Sequence, residues 1–325
     1  MAAQIVPPSS TVKTNPTVIA QLEAERARFT GALRAPTTES GYKYDQRAFR
    51  TWTAKMGFEC VPCSPDVLGL WVTSMLVGGL KVSTCGRRIA AVVRLHKSNG
   101  LASPATEEVR DLLRGARRLR QEQVDQVLPL LIEELREISV KLLGDDGPIS
   151  IRNWCMLLVG FSAALRNSNT AALLLSDIEF VEKGVILKLR RSKTDQFGRG
   201  RLIGLAFGKH PETCPVIALK RWIERRGSFA GPLFTRFDGH PPRDRPLLPE
   251  RIGQIVQECI CLVGLDCHLY GGHSLRAGFT TAAGLSGAPE LLIAATTGHR
   301  DMSTLRGYFR RRDAFAGNVS GLLDL

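Results

Sequence analysis

Residues 272–278 read Gly272-His273-Ser274-Leu275-Arg276-Ala277-Gly278. The spacing predicts a helix opening just after Gly271-Gly272, with His273 and Arg276 one turn apart on the same face. In a chain holding 44 Lys plus Arg, a lone His-x-x-Arg carries little weight. The order of residues around it supplies that weight. Gly298-His299 comes 23 residues after Arg276, and Tyr308 comes nine after His299. The chain has only four tyrosines, so one at that offset is informative. Upstream, Arg166 stands in Ala163-Ala164-Leu165-Arg166-Asn167-Ser168-Asn169-Thr170 and reads as the end of an apolar helix. Lys193 stands in Arg190-Arg191-Ser192-Lys193-Thr194, at the tip of a hairpin.

Around these positions the second half of the chain reads as mixed helix and strand. Amphipathic periodicity predicts helices over 129–143 and 149–164. Strands are expected over 178–181, 185–189 and 202–207, joined by a polar, glycine-bearing tip. Helices return over 215–226, 249–263, 274–285 and 289–297, with a final pair over 303–312 and 315–323. The first half is helical only: 17–33, 38–56, 65–77 behind a Ser64-Pro65 start, a fourth helix capped by Ser83 and ending near Asn99-Gly100, and a fifth opened by Ser103-Pro104 and ending near Arg120. Residues 1–16, rich in Pro, Ser and Thr, read as a disordered tail, and 121–129 as a linker. The expected layout is a helical domain over 17–120 and an α+β domain with a small antiparallel sheet over 130–325.

The net charge of +13 over 325 residues favours a polyanionic partner, nucleic acid first. Residues 1–120 hold 18 basic and 9 acidic side chains, net +9, and residues 121–325 hold 26 and 22, net +4. The helical half therefore carries most of the excess. There Lys43, Arg47 and Arg50 share one helical face, Arg87, Arg88 and Arg94 mark the fourth helix, and Arg117 and Arg118 end a run begun by Arg110 and Arg114. An ordinary solvated helix face is the plain alternative. The longest strongly apolar run, 156–165, is far shorter than the ~18 residues a membrane span needs. No secretory signal is read at the N-terminus, so a cytoplasmic, nucleoid-associated protein is expected. Eight cysteines are spread thinly, and free thiols are expected. Cys60-Val61-Pro62-Cys63 is half a zinc pattern with no regular second half.

Taken singly, each candidate has an ordinary reading. Arg166 could cap a helix C-terminus, Lys193 could be a solvated turn charge, His273 a polar helix start, His299 a loop hydrogen-bonder and Tyr308 a half-buried aromatic. Taken in order, Arg166, Lys193, His273, Arg276, His299 and Tyr308 resemble the tyrosine site-specific recombinase (phage integrase) family, and within it the Cre-like recombinases. The resemblance covers about residues 20–325. It implies a mainly α fold, with an N-terminal helical core-binding (SAM-like) domain and an α+β catalytic domain ending in an oligomerisation helix.

The resemblance also implies the chemistry. Tyr308 would be the nucleophile, forming a 3′-phosphotyrosine. Arg166 and Arg276 would hold the non-bridging phosphate oxygens, which guanidinium forks match. Lys193 would be the general acid for the leaving 5′ oxygen. His273 and His299 would donate to the phosphate or assist proton transfer at the tyrosine. No metal and no ATP would be needed. The implied partners are double-stranded DNA with inverted-repeat half-sites and three further copies of the chain, a homotetramer passing through a Holliday junction. Lys43, Arg47, Arg50, Arg87, Arg88, Arg94, Arg117 and Arg118 would face DNA. One departure stands out: Asn169 occupies a position where the family usually has an acid. A non-catalytic DNA-binding protein of the same fold and a type IB topoisomerase-like relaxase remain the alternatives. Tyr270 is the rival nucleophile nearby in sequence.

Overall fold

The structure is a computed structural model that describes residues 16–31, 36–122, 127–190, 200–228, 230–236 and 245–299. Of the tail expected over 1–16, Pro16 instead opens a helix; residues 1–15, Lys193 at the expected hairpin tip, Tyr308 and the expected final helix pair lie outside the described residues. The chain divides into two compact units, Met1–Val124 and Asp125–Leu325.

The first unit is built from α1 (Pro16–Gly31), α2 (Pro36–Met56), α3 (Pro65–Val77), α4 (Val82–Ser98) and α5 (Glu107–Arg120). Its core joins Phe49 of α2, Trp71 and Val72 of α3, Cys85, Ile89 and Val92 of α4 and Val109 of α5. α3 begins where Ser64-Pro65 predicts: the Ser64 hydroxyl accepts from the Val67 amide at 3.3 Å. α4 starts one residue before Ser83, behind Lys81. The reason is distant in sequence, because the Glu122 carboxylate takes the Val82 N–H at 2.8 Å and so satisfies that amide from outside the helix. α5 starts at Glu107, a turn later than Ser103-Pro104 suggests, with Glu107 and Glu108 in its first turn.

The second unit holds α6 (Ile132–Leu143), α7 (Pro148–Ser162), α8 (Asn167–Ala172), an antiparallel sheet β1 (Ile178–Val181), β2 (Gly184–Leu189) and β3 (Arg201–Ala206), then α9 (Pro215–Arg226), α10 (Pro249–Cys261), α11 (Ser274–Leu285) and α12 (Glu290–Thr297). α7 is the centre, with every residue from Ile151 to Phe161 buried. In the sheet Val185 pairs with Leu205 and Leu187 with Ile203, all four buried, so one face packs inward. The mainly α architecture with a small antiparallel sheet agrees with the sequence reading.

Two local expectations change. The helix expected from Pro129 begins only at Ile132. The Leu128 and Leu130 amides pair with the carbonyls of Leu269 and Ser274 at 2.7 and 3.0 Å, which holds the segment extended. Arg166 does not end α7. The helix stops at Ser162, Ala164 turns the chain with a left-handed φ of 49°, and Arg166 sits at the N-cap of α8. Cys261 and Cys267 are paired as a disulfide, where free thiols were expected, because the turn at Cys267–Leu269 returns to the end of α10. No helix among the described residues is long and apolar enough to cross a membrane.

Candidate active site

α11 delivers Arg276 to the interior of the second unit, where it is only 3% exposed. The helix lies close because glycines face its neighbours. A Cβ on Gly278 would run into the Leu130 carbonyl, and one on Gly272 would run into the Asn167 side chain at the start of α8. At Gly278 the obstacle is backbone, so only glycine permits that approach, whereas at Gly272 a larger residue would have to displace the Asn167 side chain.

The buried guanidinium needs partners. Arg276 Nη1 donates to the Ala164 carbonyl at 2.8 Å, and Nη2 lies 3.2 Å from His299 Nε2. The strained turn at Ala164 therefore has a use, since it aims a carbonyl at Arg276 while placing Arg166 at the head of α8. An arginine has donors only, so His299 Nε2 must accept. The Nδ1 proton then goes to the Thr297 hydroxyl at 2.8 Å, which in turn donates to the Ile293 carbonyl at 2.7 Å. His299 is thus fixed as a neutral imidazole with its proton on Nδ1. Burial and the charges of Arg276, Arg166 and Arg201 push its pKa down to about 4.

The structure therefore brings together Arg166, Arg276 and His299, three of the six sequence-predicted catalytic residues. His273 is exposed at the N-cap of α11, one turn from Arg276. Asn169 is buried in α8, with its amide bonded to the Arg166 carbonyl at 2.8 Å. Lys193 and Tyr308 lie outside the described residues. Tyr270 is 6% exposed and donates to Glu134 at 3.1 Å, so its hydroxyl is engaged in holding α6. Sequence reading missed Thr297, Ala164 and Arg201. Thr297 directly precedes Gly298-His299 and was within reach of a local reading. The apolar pattern starts the strand at Leu202, whereas Arg201 is the first residue of β3.

In the first unit the cations sort into two groups. Lys43, Arg47, Arg50, Arg117 and Arg118 are exposed. Arg87 and Arg88 instead converge from α4 on Asp45 of α2, a side chain with no exposure, Arg88 at 3.5 Å. Arg94 lies 3.7 Å from Glu39. Arg114 pairs with Glu107 and Asp111.

Cations converging on a neutral imidazole make a site for an anion that gathers negative charge during reaction, as a phosphoryl centre does. The integrase/recombinase XerD homologue of Selenomonas ruminantium is 29% identical over 88% of this chain and 85% of its own length. The Cre recombinase of Escherichia phage P1 is 23% identical over 86% and 85%, no closer than the XerD tyrosine recombinase of Yersinia pestis, also at 23% over 84% and 86%. The fold matches an integrase of transposon Tn1549 in complex with transposon right-end DNA, with a TM-score of 0.65, 16% identity and coverage of 94% and 99%. It also matches a lambda integrase dimer bound to a COC′ core site, with a TM-score of 0.60, 15% identity and coverage of 90% and 95%. The phage integrase family model matches residues 117–314, more than half of the sequence: the chain belongs to the phage integrase family, the tyrosine recombinases.

Proposed function

We propose that this chain is a site-specific recombinase that uses Tyr308 as its nucleophile and acts as a homotetramer on inverted-repeat DNA sites. As a family member it cleaves and rejoins DNA. The observation that carries the residue assignment is the convergence of Arg166, Arg276 and neutral His299. Arg276 reaches this point on a buried, hydrogen-bonded scaffold, which is what a preorganised phosphate site requires.

The Tyr308 oxygen attacks the scissile phosphorus, its hydroxyl proton passes to His273 or His299, and the bond to the 5′ oxygen breaks. Arg166 and Arg276 hold the two non-bridging oxygens as charge gathers there. Lys193 gives the leaving 5′ oxygen its proton. The products are a 3′-phosphotyrosine and a 5′-hydroxyl. A 5′-hydroxyl from the partner duplex then attacks the phosphotyrosine, releases Tyr308 and leaves a Holliday junction. A second exchange resolves it. Every phosphodiester broken is remade, so no external energy source enters. His299 is a neutral base in the resting site. The phosphodiester anion held by the arginines, and the second negative charge it gains as Tyr308 attacks, would raise the proton affinity of His299 and let it share a proton with the tyrosine or the phosphate.

The test uses nicked suicide duplexes tiled across the DNA that flanks the gene. A recombinase leaves a covalent protein–DNA adduct on denaturing gels at one inverted repeat, and Tyr308→Phe removes it. Binding without adduct would support the non-catalytic reading. Relaxation of arbitrary supercoiled plasmid would support the topoisomerase-like one.

A further inference from the structure

Arg201 opens β3, and its side chain reaches the far end of α12. Nη1 donates to the Ala295 carbonyl at 2.9 Å. It also sits against Gly298, so closely that a Cβ there would be 2.7 Å from it. Ala295 supplies one of the last four carbonyls of α12, which no residue within the helix can satisfy. A cation at that end also complements the helix dipole. The residue after Gly298 is His299. A single half-buried side chain therefore links a strand to the turn that presents the imidazole to Arg276.

We infer that Arg201 is a positioning residue of this site: it clamps the Gly298–His299 turn onto β3 and holds His299 as the neutral acceptor of the Arg276 hydrogen bond. The inference takes the site's purpose from the recombinase reading, but the clamp itself belongs to the DNA-free chain.

Among the described residues, the charges that face His299 come from three elements. Arg276 projects from α11, Arg166 from the head of α8 and Arg201 from β3, while the Thr297 hydroxyl of α12 takes the Nδ1 proton. Burial and the charge of Arg166 lower the pKa of Arg201 itself. Burial is the larger cause, and the nearby Arg166 charge adds to it.

The experiment reads the His299 imidazole directly, by heteronuclear NMR of histidine-labelled full-length protein without DNA, assigned with His299→Gln. Wild-type protein should show His299 protonated on Nδ1 at neutral pH, with a low titration midpoint. Arg201→Gln keeps a hydrogen-bond donor for Ala295 but removes the charge, and Arg201→Met removes both. Either should raise the midpoint by at least half a unit, while Arg201→Lys should keep it low. A folded neutral variant with an unmoved midpoint reduces Arg201 to a helix cap and overturns the proposal, as would the failure of both neutral variants to fold. Because no DNA is present, absence of a Tyr308 adduct would sink the recombinase reading without touching this result, and the reverse also holds.

Discussion

Arg276 Nη2 and His299 Nε2 lie 3.2 Å apart, and the direction of that hydrogen bond fixes the protonation state of the histidine. A guanidinium cannot accept, so an imidazolium at this position would set one N–H against another. The resting site therefore holds a cation and a base side by side. Protonating the base costs a hydrogen bond and adds a charge next to Arg276, Arg166 and Arg201.

That cost makes stability depend on pH, which is the first prediction. The pKa of His299 in the folded chain is near 4, below the value near 6.5 of an unfolded histidine. Between these values the unfolded chain binds more protons, so stability falls as pH drops from about 6.5 towards 4 and is fully present above that window. Solvent screening at this half-buried position leaves an effect of about 1–2 kcal/mol. Calorimetry should show the melting temperature of the catalytic unit falling across the window, with a flatter profile in His299→Gln. Parallel profiles would mean that the loss arises elsewhere.

The second concerns Asp45. Its carboxylate has no exposure and meets both Arg87 and Arg88. Removing the acid strands two cations between α2 and α4, whereas removing Arg87 leaves Arg88 in place. Asp45→Ala should therefore destabilise the helical unit by about 2–3 kcal/mol, less than for a fully buried pair because Arg87 is half exposed. Arg87→Ala should cost under about 1 kcal/mol. Urea unfolding of the two variants decides it, and equal costs would remove Asp45 from its central place.

Local chemistry was legible where a few adjacent residues suffice. Ser64-Pro65 marks the start of α3 because a hydroxyl cap and a pre-set φ act within one turn. The His273–Arg276 spacing marks α11 for the same kind of reason. The break at Ala164 was not legible. Ala163-Ala164-Leu165 is good helix material, and its turn is imposed by packing and by Arg276, which lies 112 residues downstream. The extended stretch before α6 has the same origin, in backbone pairs to Leu269 and Ser274. Arg201 was hidden for a related reason: its meaning lies in Ala295 and Gly298, and nothing near it in sequence names them. The helical periodicity of Lys43, Arg47 and Arg50 was visible, but the partner that draws Arg87 and Arg88 inward was not.

A third prediction separates exposed from neutralised cations on α5. Arg117 is exposed, and the described residues show no acid paired with it, while Arg114 is shared between Glu107 and Asp111. A cation that replaces condensed counterions on DNA contributes about one unit to the slope of log affinity against log salt. Arg117→Gln should lower that slope by about 1 on a random-sequence duplex, and Arg114→Gln by clearly less. Equal losses, read by fluorescence anisotropy over a salt series, would show that intramolecular pairing does not decide which arginines meet phosphate.

The last prediction isolates the proton that must reach the leaving oxygen. A 5′ alkoxide is a poor leaving group, and a general acid typically accelerates such a step by about 10²–10⁴-fold. Lys193→Ala should slow adduct formation on that order. Replacing the bridging 5′ oxygen by sulfur gives a leaving thiolate that needs no proton, so the same variant should then cleave at close to the wild-type rate. Tyr308→Phe should form no adduct on either substrate while binding DNA within a few fold of wild type, because it lacks the atom that attacks. The pair of substrates separates the two roles. A defect in positioning the phosphate slows both, whereas a missing acid slows only the oxygen substrate. If sulfur fails to rescue Lys193→Ala, the proton comes from another group, and His273, exposed one turn from Arg276, becomes the next side chain to test.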